Sequence, residues 1–316
     1  MKKVFITGGA GYIGCVLTPL LLKSGYHVTV YDNLMYGGDG LIHNFSDSKF
    51  NFIKGDILDK ELLYNSIKGH DVVIHLAAIV GYTACRKDEK YAHDVNHQGT
   101  KNVIDCLSGN ELLLFGSTGS NYGTVEGVCT EETPLNPLSI YGRSKTLAEE
   151  EVTKYKNSVA FRFATAFGVS PRLRLDLLVN DLSYSAHTQK YIAVYESHFM
   201  RTFIHVNDIA NVFEFAIENS DKMSGEIYNV GSNSMNYSKG DVCKLIQKKS
   251  DCYVHYADFD NDADKRDYVV SYDKIQKLGY NTKITVKQGI DELFKVFPLI
   301  HIHNKHRNWY ELYQKV

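Results

Sequence analysis

The chain has 316 residues, 44% of them hydrophobic, enough to bury a full α/β core as one large domain or as a core with a smaller lobe. Its formal charge is −2 and its Lys and Arg residues form no runs, which removes the electrostatic reason to expect a nucleic-acid or membrane surface as partner. No stretch approaches the ~18 apolar residues that cross a bilayer, and a small-molecule substrate is the expectation.

Met1-Lys2-Lys3-Val4-Phe5-Ile6 runs straight into a glycine turn, without the apolar core and small-residue cleavage site of a signal peptide. Cys15, Cys85, Cys106, Cys129, Cys243 and Cys252 show no paired spacing that suggests zinc or disulfides, so they read as reduced thiols in a cytoplasmic protein. From Met1 to about Arg162, short β-branched runs alternate with longer amphipathic ones. Strands are predicted at Val4–Thr7, Val28–Tyr31, Phe50–Ile53, Val72–His75, Leu112–Phe115 and Val159–Phe163, and helices at Tyr12–Lys23, Lys60–Ile67, Tyr91–Leu107 and Leu138–Tyr155. This alternation is the pattern of a doubly wound parallel sheet covered on both faces, and right-handed crossovers leave it few topologies.

Beyond Gly168 the rhythm loosens. Strands are expected at Tyr191–Val194 and Thr202–His205 and helices at Asn207–Asn219, Lys239–Lys249 and Val286–Phe294, with no Pro/Gly/Ser-rich linker, low-complexity stretch or repeat. The reading is a Rossmann-type α/β domain over residues 1–168 and a smaller, interleaved C-terminal substrate-binding lobe over 169–316. Segments near 202–230 are expected to return to the sheet, and a cleft between the lobes would hold the ligand.

Between the first strand and the first helix lies Gly8-Gly9-Ala10-Gly11-Tyr12-Ile13-Gly14, spaced G-x-x-G-x-x-G. Glycines there let the chain turn sharply and let a pyrophosphate approach backbone N–H groups at a helix N-terminus. Glycine triplets also serve packing, but the first strand-to-helix junction is where a dinucleotide site belongs. Asp32 ends the second strand, where its carboxylate would accept hydrogen bonds from both hydroxyls of an adenosine ribose and repel the extra phosphate of NADP. The alternative for Asp32 is a loop cap. Asp56-Ile57, after the third strand, is the candidate for the adenine edge.

Tyr141 and Lys145 stand four residues apart, on one face of a predicted helix. A free phenol, with a pKa near ~10, is a poor base at neutral pH. A neighbouring ammonium favours the phenolate, which makes Tyr141 the acid/base candidate. Phe115-Gly116-Ser117-Thr118-Gly119-Ser120 follows the fifth strand and puts hydroxyls at the carboxyl edge of the sheet, where Thr118 would hydrogen-bond a substrate oxygen. With 22 tyrosines in the chain, a Tyr–Lys pair at this spacing is as often an ordinary surface pair; the glycine turn, Asp32 and the hydroxyl-rich strand end set this one apart.

Thr7-Gly8-Gly9-Ala10-Gly11-Tyr12-Ile13-Gly14, His75-Leu76-Ala77-Ala78, Ser117-Thr118 and Tyr141–Lys145 together resemble the NAD-dependent epimerase/dehydratase branch of the extended short-chain dehydrogenases, nearly end to end. The resemblance implies NAD as cofactor and a nucleotide-diphosphate sugar as substrate. It implies that Tyr141 removes a sugar hydroxyl proton while hydride passes to NAD. Lys145 would bind the nicotinamide ribose and tune Tyr141, and Thr118, with Ser117 the other candidate, would aid proton transfer. Cofactor contacts are implied at Gly8, Gly11, Tyr12, Ile13, Gly14, Asn33, Leu76, Ala77 and Ala78, beside Asp32, Asp56 and Ile57. Asn96 matches an asparagine that supports the active-site helix.

On the substrate side the resemblance implies Thr165, Asn180, Arg201 and Arg266, the planar guanidinium of each arginine suiting a diphosphate. Outside the resemblance each arginine reads as a surface residue. Arg172 and Arg174 either reach phosphate or form salt bridges. His301, His303 and His306 have no carboxylate or cysteine spaced to complete a site, and no metal is expected. A homodimer through Tyr91–Leu107 and Leu138–Tyr155 is also implied.

In the 4,6-dehydratases of that family an Asp-Glu pair follows the threonine; Gly119-Ser120 stand there instead, which disfavours 4,6-dehydration. A C4 dehydrogenase and a C4 epimerase need the same residues. The segments 164–181 and 264–268 look like a sub-branch that includes nucleotide-heptose 4-dehydrogenases of bacterial surface-polysaccharide pathways. They depart from galactose epimerases, which usually carry Asn-Pro where Thr165-Ala166 stand, so the expectation leans to 4-oxidation with epimerisation next. A non-catalytic NAD-binding regulator on the same fold would be expected to lack the tyrosine or the lysine, and Asp32 opposes an NADPH-consuming reductase. Asp32→Ala is expected to relax the preference for NAD over NADP, read from the ratio of the two dissociation constants; unchanged discrimination would move the ribose contact elsewhere.

Overall fold

The computed structural model describes residues 2–257 and 267–300. Seven strands form one parallel sheet in the spatial order Glu226–Val230, Ser158–Phe163, Leu112–Thr118, Val72–His75, Lys3–Thr7, His27–Asp32 and Phe50–Lys54. The chain starts in mid-sheet, winds out to Phe50–Lys54, then crosses back to build the other half from Val72–His75. Ligands bind at such a switch point, where the carboxyl ends of adjacent strands open a crevice.

Alternate residues of each strand feed the two faces. Val4, Ile6, Val72, Ile74 and Leu114 pack beneath Leu17 and Leu21 of helix Gly14–Lys23 and Val212 and Phe213 of helix Val206–Glu218. Phe5, Val73, Leu113 and Phe115 pack on the other side against Leu63, Val95, Val103, Ala148 and Val152. Both faces are covered, which is why these strands read as near-continuous apolar runs. The first helix begins at Gly14 rather than Tyr12, because residues 11–13 are spent on the glycine turn. The helix predicted at Tyr91–Leu107 runs from Glu89 to Asp105, with a π-helical stretch over Asp94–Gln98 that holds Asn96.

Of the segment near 202–230, Glu226–Val230 pairs with Ser158–Phe163 in the main sheet, and helix Val206–Glu218 lies on its face. Strand Met200–His205 does not join it; it pairs with Thr165–Phe167 and Asn236–Ser238. Its neighbours Phe203 and Ile204 belong to different cores, the first to a distal cluster with Val179, Leu182, Val242 and Ile290, the second to the core beneath the sheet. Two further parallel pairs, Tyr191–Tyr195 with Tyr253–Ala257 and Thr124–Cys129 with Asp267–Val270, form separate two-stranded sheets. Five of these short strands are absent from the sequence expectation. Their runs are three to six residues long and carry Gly127 or polar residues, so periodicity alone does not reveal them.

A buried ion pair joins helix Ile140–Thr153 to the sheet. Arg162 Nη2 lies 2.6 Å from Glu149 Oε1, and both side chains are almost wholly buried. Ser117 Oγ and Asn121 Nδ2 donate to Glu149 Oε2, while Arg162 Nη1 donates to the Tyr122 hydroxyl at 3.0 Å, which in turn donates to Asn229 Oδ1 at 2.7 Å. Removing one member leaves the other as a buried, uncompensated charge. Glu149→Ala is therefore expected to lower unfolding free energy by ~3–5 kcal/mol in urea denaturation; a loss below ~0.5 kcal/mol, the level of an ordinary surface substitution, would show that the pair is not a structural tie.

Candidate active site

A cavity of about 530 Å³ opens along the carboxyl ends of the central strands. At one end is the glycine turn. Gly8 sits at φ +72°, and an added Cβ would come 2.5 Å from Ala77 N, so only glycine lets the first strand end this close to the fourth. Asp32 closes that end: its Oδ2 accepts from Ala10 N at 3.0 Å and its Oδ1 from Leu34 N at 2.8 Å. Burial raises the Asp32 pKa, and those two N–H donors oppose the rise. Asn33 Nδ2 donates to Asp56 Oδ2 at 3.0 Å, and Asp56 Oδ1 accepts from Leu58 N, which orders the rim that Asp56 and Ile57 present to the cavity.

Gly8, Gly11, Tyr12, Ile13, Gly14, Asp32, Asn33, Asp56, Ile57, Leu76, Ala77 and Ala78 all line this one cavity. So do Thr118, Tyr141, Lys145, Thr165 and Arg201. Asn180 is not among the lining residues. It is fully buried, its Oδ1 accepting from Gly168 N and its Nδ2 donating to Gly168 O and Arg174 O, so its amide shapes the loop behind the cavity wall. Arg266, His301, His303 and His306 lie outside the described residues. Among the described residues there is no cluster of His, Cys, Asp and Glu that could hold a metal, and no helix is long and apolar enough to cross a membrane.

Helix Ile140–Thr153 carries Tyr141 and Lys145 and starts at Ser139, whose hydroxyl accepts from Gly142 N. Lys145 is buried with Nζ 3.9 Å from the centre of the Phe115 ring. Burial lowers its pKa to about 7, and the carboxylate of Glu149, one turn on, pulls it back up. Thr118 Oγ1 accepts from Ser120 N and donates to Ser120 Oγ, both at 3.1 Å. The Ser117 hydroxyl donates to Glu149 Oε2, and Ser117, Thr118 and Ser120 all line the cavity.

Behind the pair runs a second polar chain that the sequence reading did not assemble. His75 Nδ1 meets Thr7 Oγ1 at 2.7 Å and Nε2 meets Thr100 Oγ1 at 2.9 Å. Since the Thr100 hydroxyl donates to Asn96 O, the His75 proton resides on Nε2 and the Thr7 hydroxyl donates to Nδ1. Burial drops the His75 pKa to about 3, so the ring stays neutral. Asn96 Oδ1 accepts from Ile79 N at 2.7 Å and Nδ2 donates to Ser144 Oγ at 3.0 Å, tying the loop after the fourth strand to the reactive helix. Lys239, Tyr36, Arg172, Arg174 and Asp181 also line the cavity. Lys239 and Asp181 had no signal in sequence: neither belongs to a motif.

A glycine turn after the first strand, a strand-end carboxylate and a Tyr–Lys helix around one cavity are the features of a dinucleotide-binding α/β enzyme. The model of the NAD-dependent epimerase/dehydratase family matches residues 4–231, and the chain belongs to that family. It is 27% identical over 301 residues to a putative UDP-glucose 4-epimerase of Methanocaldococcus jannaschii, covering 91% of this chain and 95% of that one. It is 30% identical over 257 residues to a UDP-N-acetyl-alpha-D-glucosaminuronate decarboxylase of Bacillus cytotoxicus, covering 73% and 75%. The crystal structure of UDP-glucuronic acid 4-epimerase from Bacillus cereus, in complex with UDP-glucuronic acid and NAD, superposes with a TM-score of 0.83 at 24% identity, over 94% of this chain and 100% of that one; the fold is shared. Gly8, Gly9, Gly11 and Gly14, the Asp32 carboxylate and one cavity that reaches Tyr141 fit the cofactor in the family's name.

The lowered pKa of Lys145 has a consequence for stability. Between about 7 and the ordinary lysine value the unfolded chain holds a proton that the folded chain lacks, so this residue's contribution to stability rises with pH there. Above 9.0 the buried Cys15 and Cys85 thiols, pushed up to about 12, act in the opposite direction. In cofactor-free protein, the unfolding free energy of the parent relative to Lys145→Met is expected to rise from pH 7 to 9. A flat difference would mean that Lys145 keeps its charge throughout.

Proposed function

We propose that the protein oxidises C4 of a nucleotide-activated sugar to the 4-keto sugar, with Tyr141 as acid/base. The observation that supports this most is that Thr118, Tyr141 and Lys145 line the same cavity as the glycine turn and Asp32. NAD, when bound, supplies the hydride acceptor. Gly8, Gly11, Tyr12, Ile13 and Gly14 hold its phosphates, Asp32 and Asn33 its adenosine ribose, Asp56 and Ile57 its base, and Leu76, Ala77 and Ala78 the face of the groove. Tyr141 takes the proton of the C4 hydroxyl, Lys145 stabilises the phenolate from one helical turn away, and Thr118 orients the sugar oxygen. Thr165 faces the sugar, and Arg201 and Arg266 hold the nucleotide diphosphate. No carboxylate stands at residues 119 and 120 to move water across C5 and C6. The enzyme works in the cytoplasm as a homodimer.

The second reading is a C4 epimerase, in which the ketone turns over in the site and takes the hydride back. Two of the three proteins named above are 4-epimerases by name, which favours it.

Incubation with UDP-, GDP-, CDP- and dTDP-sugars, followed at ~340 nm for reduced nicotinamide and by NMR for products, separates the two. NADH with a 4-keto sugar is the expected outcome, and an inverted C4 without net reduction would replace it with epimerisation. Tyr141→Phe is expected to keep NAD binding and lose ~10²–10⁴-fold in kcat; undiminished turnover would remove Tyr141 from the chemistry.

A further inference from the structure

The loop after Gly168 contributes two arginines to the cavity, and their situations differ. Arg174 is paired: its Nε and Nη2 donate to the two oxygens of Asp176 at 3.1 and 2.6 Å. Arg172 is not. It is 9% exposed, its guanidinium carbon lies 4.4 Å from the centre of the Tyr36 ring, and its buried Nε finds no hydrogen-bond partner among the described residues. The carboxylate of Asp32 is near enough to feel its charge but is not hydrogen-bonded to that Nε. A buried guanidinium N–H without an acceptor is costly, so its persistence points to an acceptor that arrives with a ligand.

The position identifies that ligand's chemistry. The loop is stitched to the glycine turn twice: the Ser170 hydroxyl donates to Tyr12 O at 2.7 Å, and the Tyr12 hydroxyl donates to Gly168 O at 2.8 Å. Arg172 N also stands close to Cys15, in the first turn of helix Gly14–Lys23; an added Cβ on Gly40 would meet Cys15 Sγ at 2.5 Å and Arg172 N at 3.4 Å. Arg172 lines the cavity together with Gly8, Gly11 and Gly14 of the glycine turn and with Asp32. Resting on these facts and on the cofactor reading above, we propose that Arg172 binds the diphosphate of the dinucleotide, closing it from the side opposite the glycine turn. The Tyr36 ring holds the planar fork in place, and the fork suits two phosphate oxygens at once.

The test uses the full chain stripped of nucleotide. NAD and ADP are titrated by calorimetry and adenosine by ligand-observed NMR, for the parent, Arg172→Gln and Arg172→Lys. The glutamine variant is expected to bind NAD and ADP on the order of tenfold to a hundredfold more weakly, with adenosine affinity unchanged; the lysine variant, with charge but no fork, falls between. Retained adenosine binding also certifies the fold of each variant, and if the glutamine variant does not fold, the lysine variant decides on the same comparison. Equal weakening of adenosine, or no weakening of ADP, overturns the assignment. A parent protein that takes up no NAD overturns the cofactor reading instead, before any variant is compared.

Discussion

The carboxylate of Glu149 is the point at which sheet, helix and reactive residues are tied together. It lies on the same helix as Tyr141 and Lys145, faces Arg162 of a neighbouring strand at 2.6 Å, and accepts from Ser117 and Asn121 at the end of another. A buried ion pair is stable only when its remaining donors and acceptors are filled, and here the surplus N–H groups of Arg162 go to Tyr122 and to the Glu131 carbonyl. The position of the helix along the sheet is thus set by directional bonds as well as by apolar packing. Glu149 also sets the local field: its charge is the leading influence that opposes the loss of the Lys145 proton on burial.

A second chain of bonds runs from the cofactor end to the same helix. Thr7, at the end of the first strand, bonds His75; His75 bonds Thr100; Thr100 bonds Asn96; and Asn96 bonds both Ile79 and Ser144. Each member is buried, and neutral His75 suits it because an imidazole with one donor and one acceptor nitrogen matches two hydroxyls. The π-helical stretch at Asp94–Gln98 is where this chain meets the helix. Such bulges put a side chain where regular α geometry would not, and Asn96 is the side chain so placed. The glycine turn and the Tyr–Lys helix, more than a hundred residues apart in the chain, are thereby held to one cavity.

The loop after Gly168 belongs to this scheme from the other side. Asn180 fastens its backbone at Gly168 and Arg174, and Ser170 and Tyr12 fasten it to the glycine turn. An asparagine read as a nucleotide contact turns out to be the pin that fixes where the two loop arginines stand. Its complete burial decides this, because an amide whose oxygen and both hydrogens are bonded to backbone has little left for a ligand.

Much of this was legible in the chain itself. Strand and helix periods are local, so the alternation that makes a parallel sheet was readable from apolar spacing, and so were the glycine turn, Asp32 at a strand end and the four-residue step from Tyr141 to Lys145. What spacing cannot carry is the pairing of distant side chains. That Glu149 meets Arg162, that His75 joins Thr7 to Thr100, that the Ser117 hydroxyl meets Glu149, and that Arg174 is paired while the Nε of Arg172 two residues before it is not, depend on which residues the crossovers bring together. Local sequence determined the elements and the motif residues at their ends. The tertiary structure alone decided which polar groups find partners, because hydrogen bonds and ion pairs are short-ranged contacts and the chain distance between their members is arbitrary.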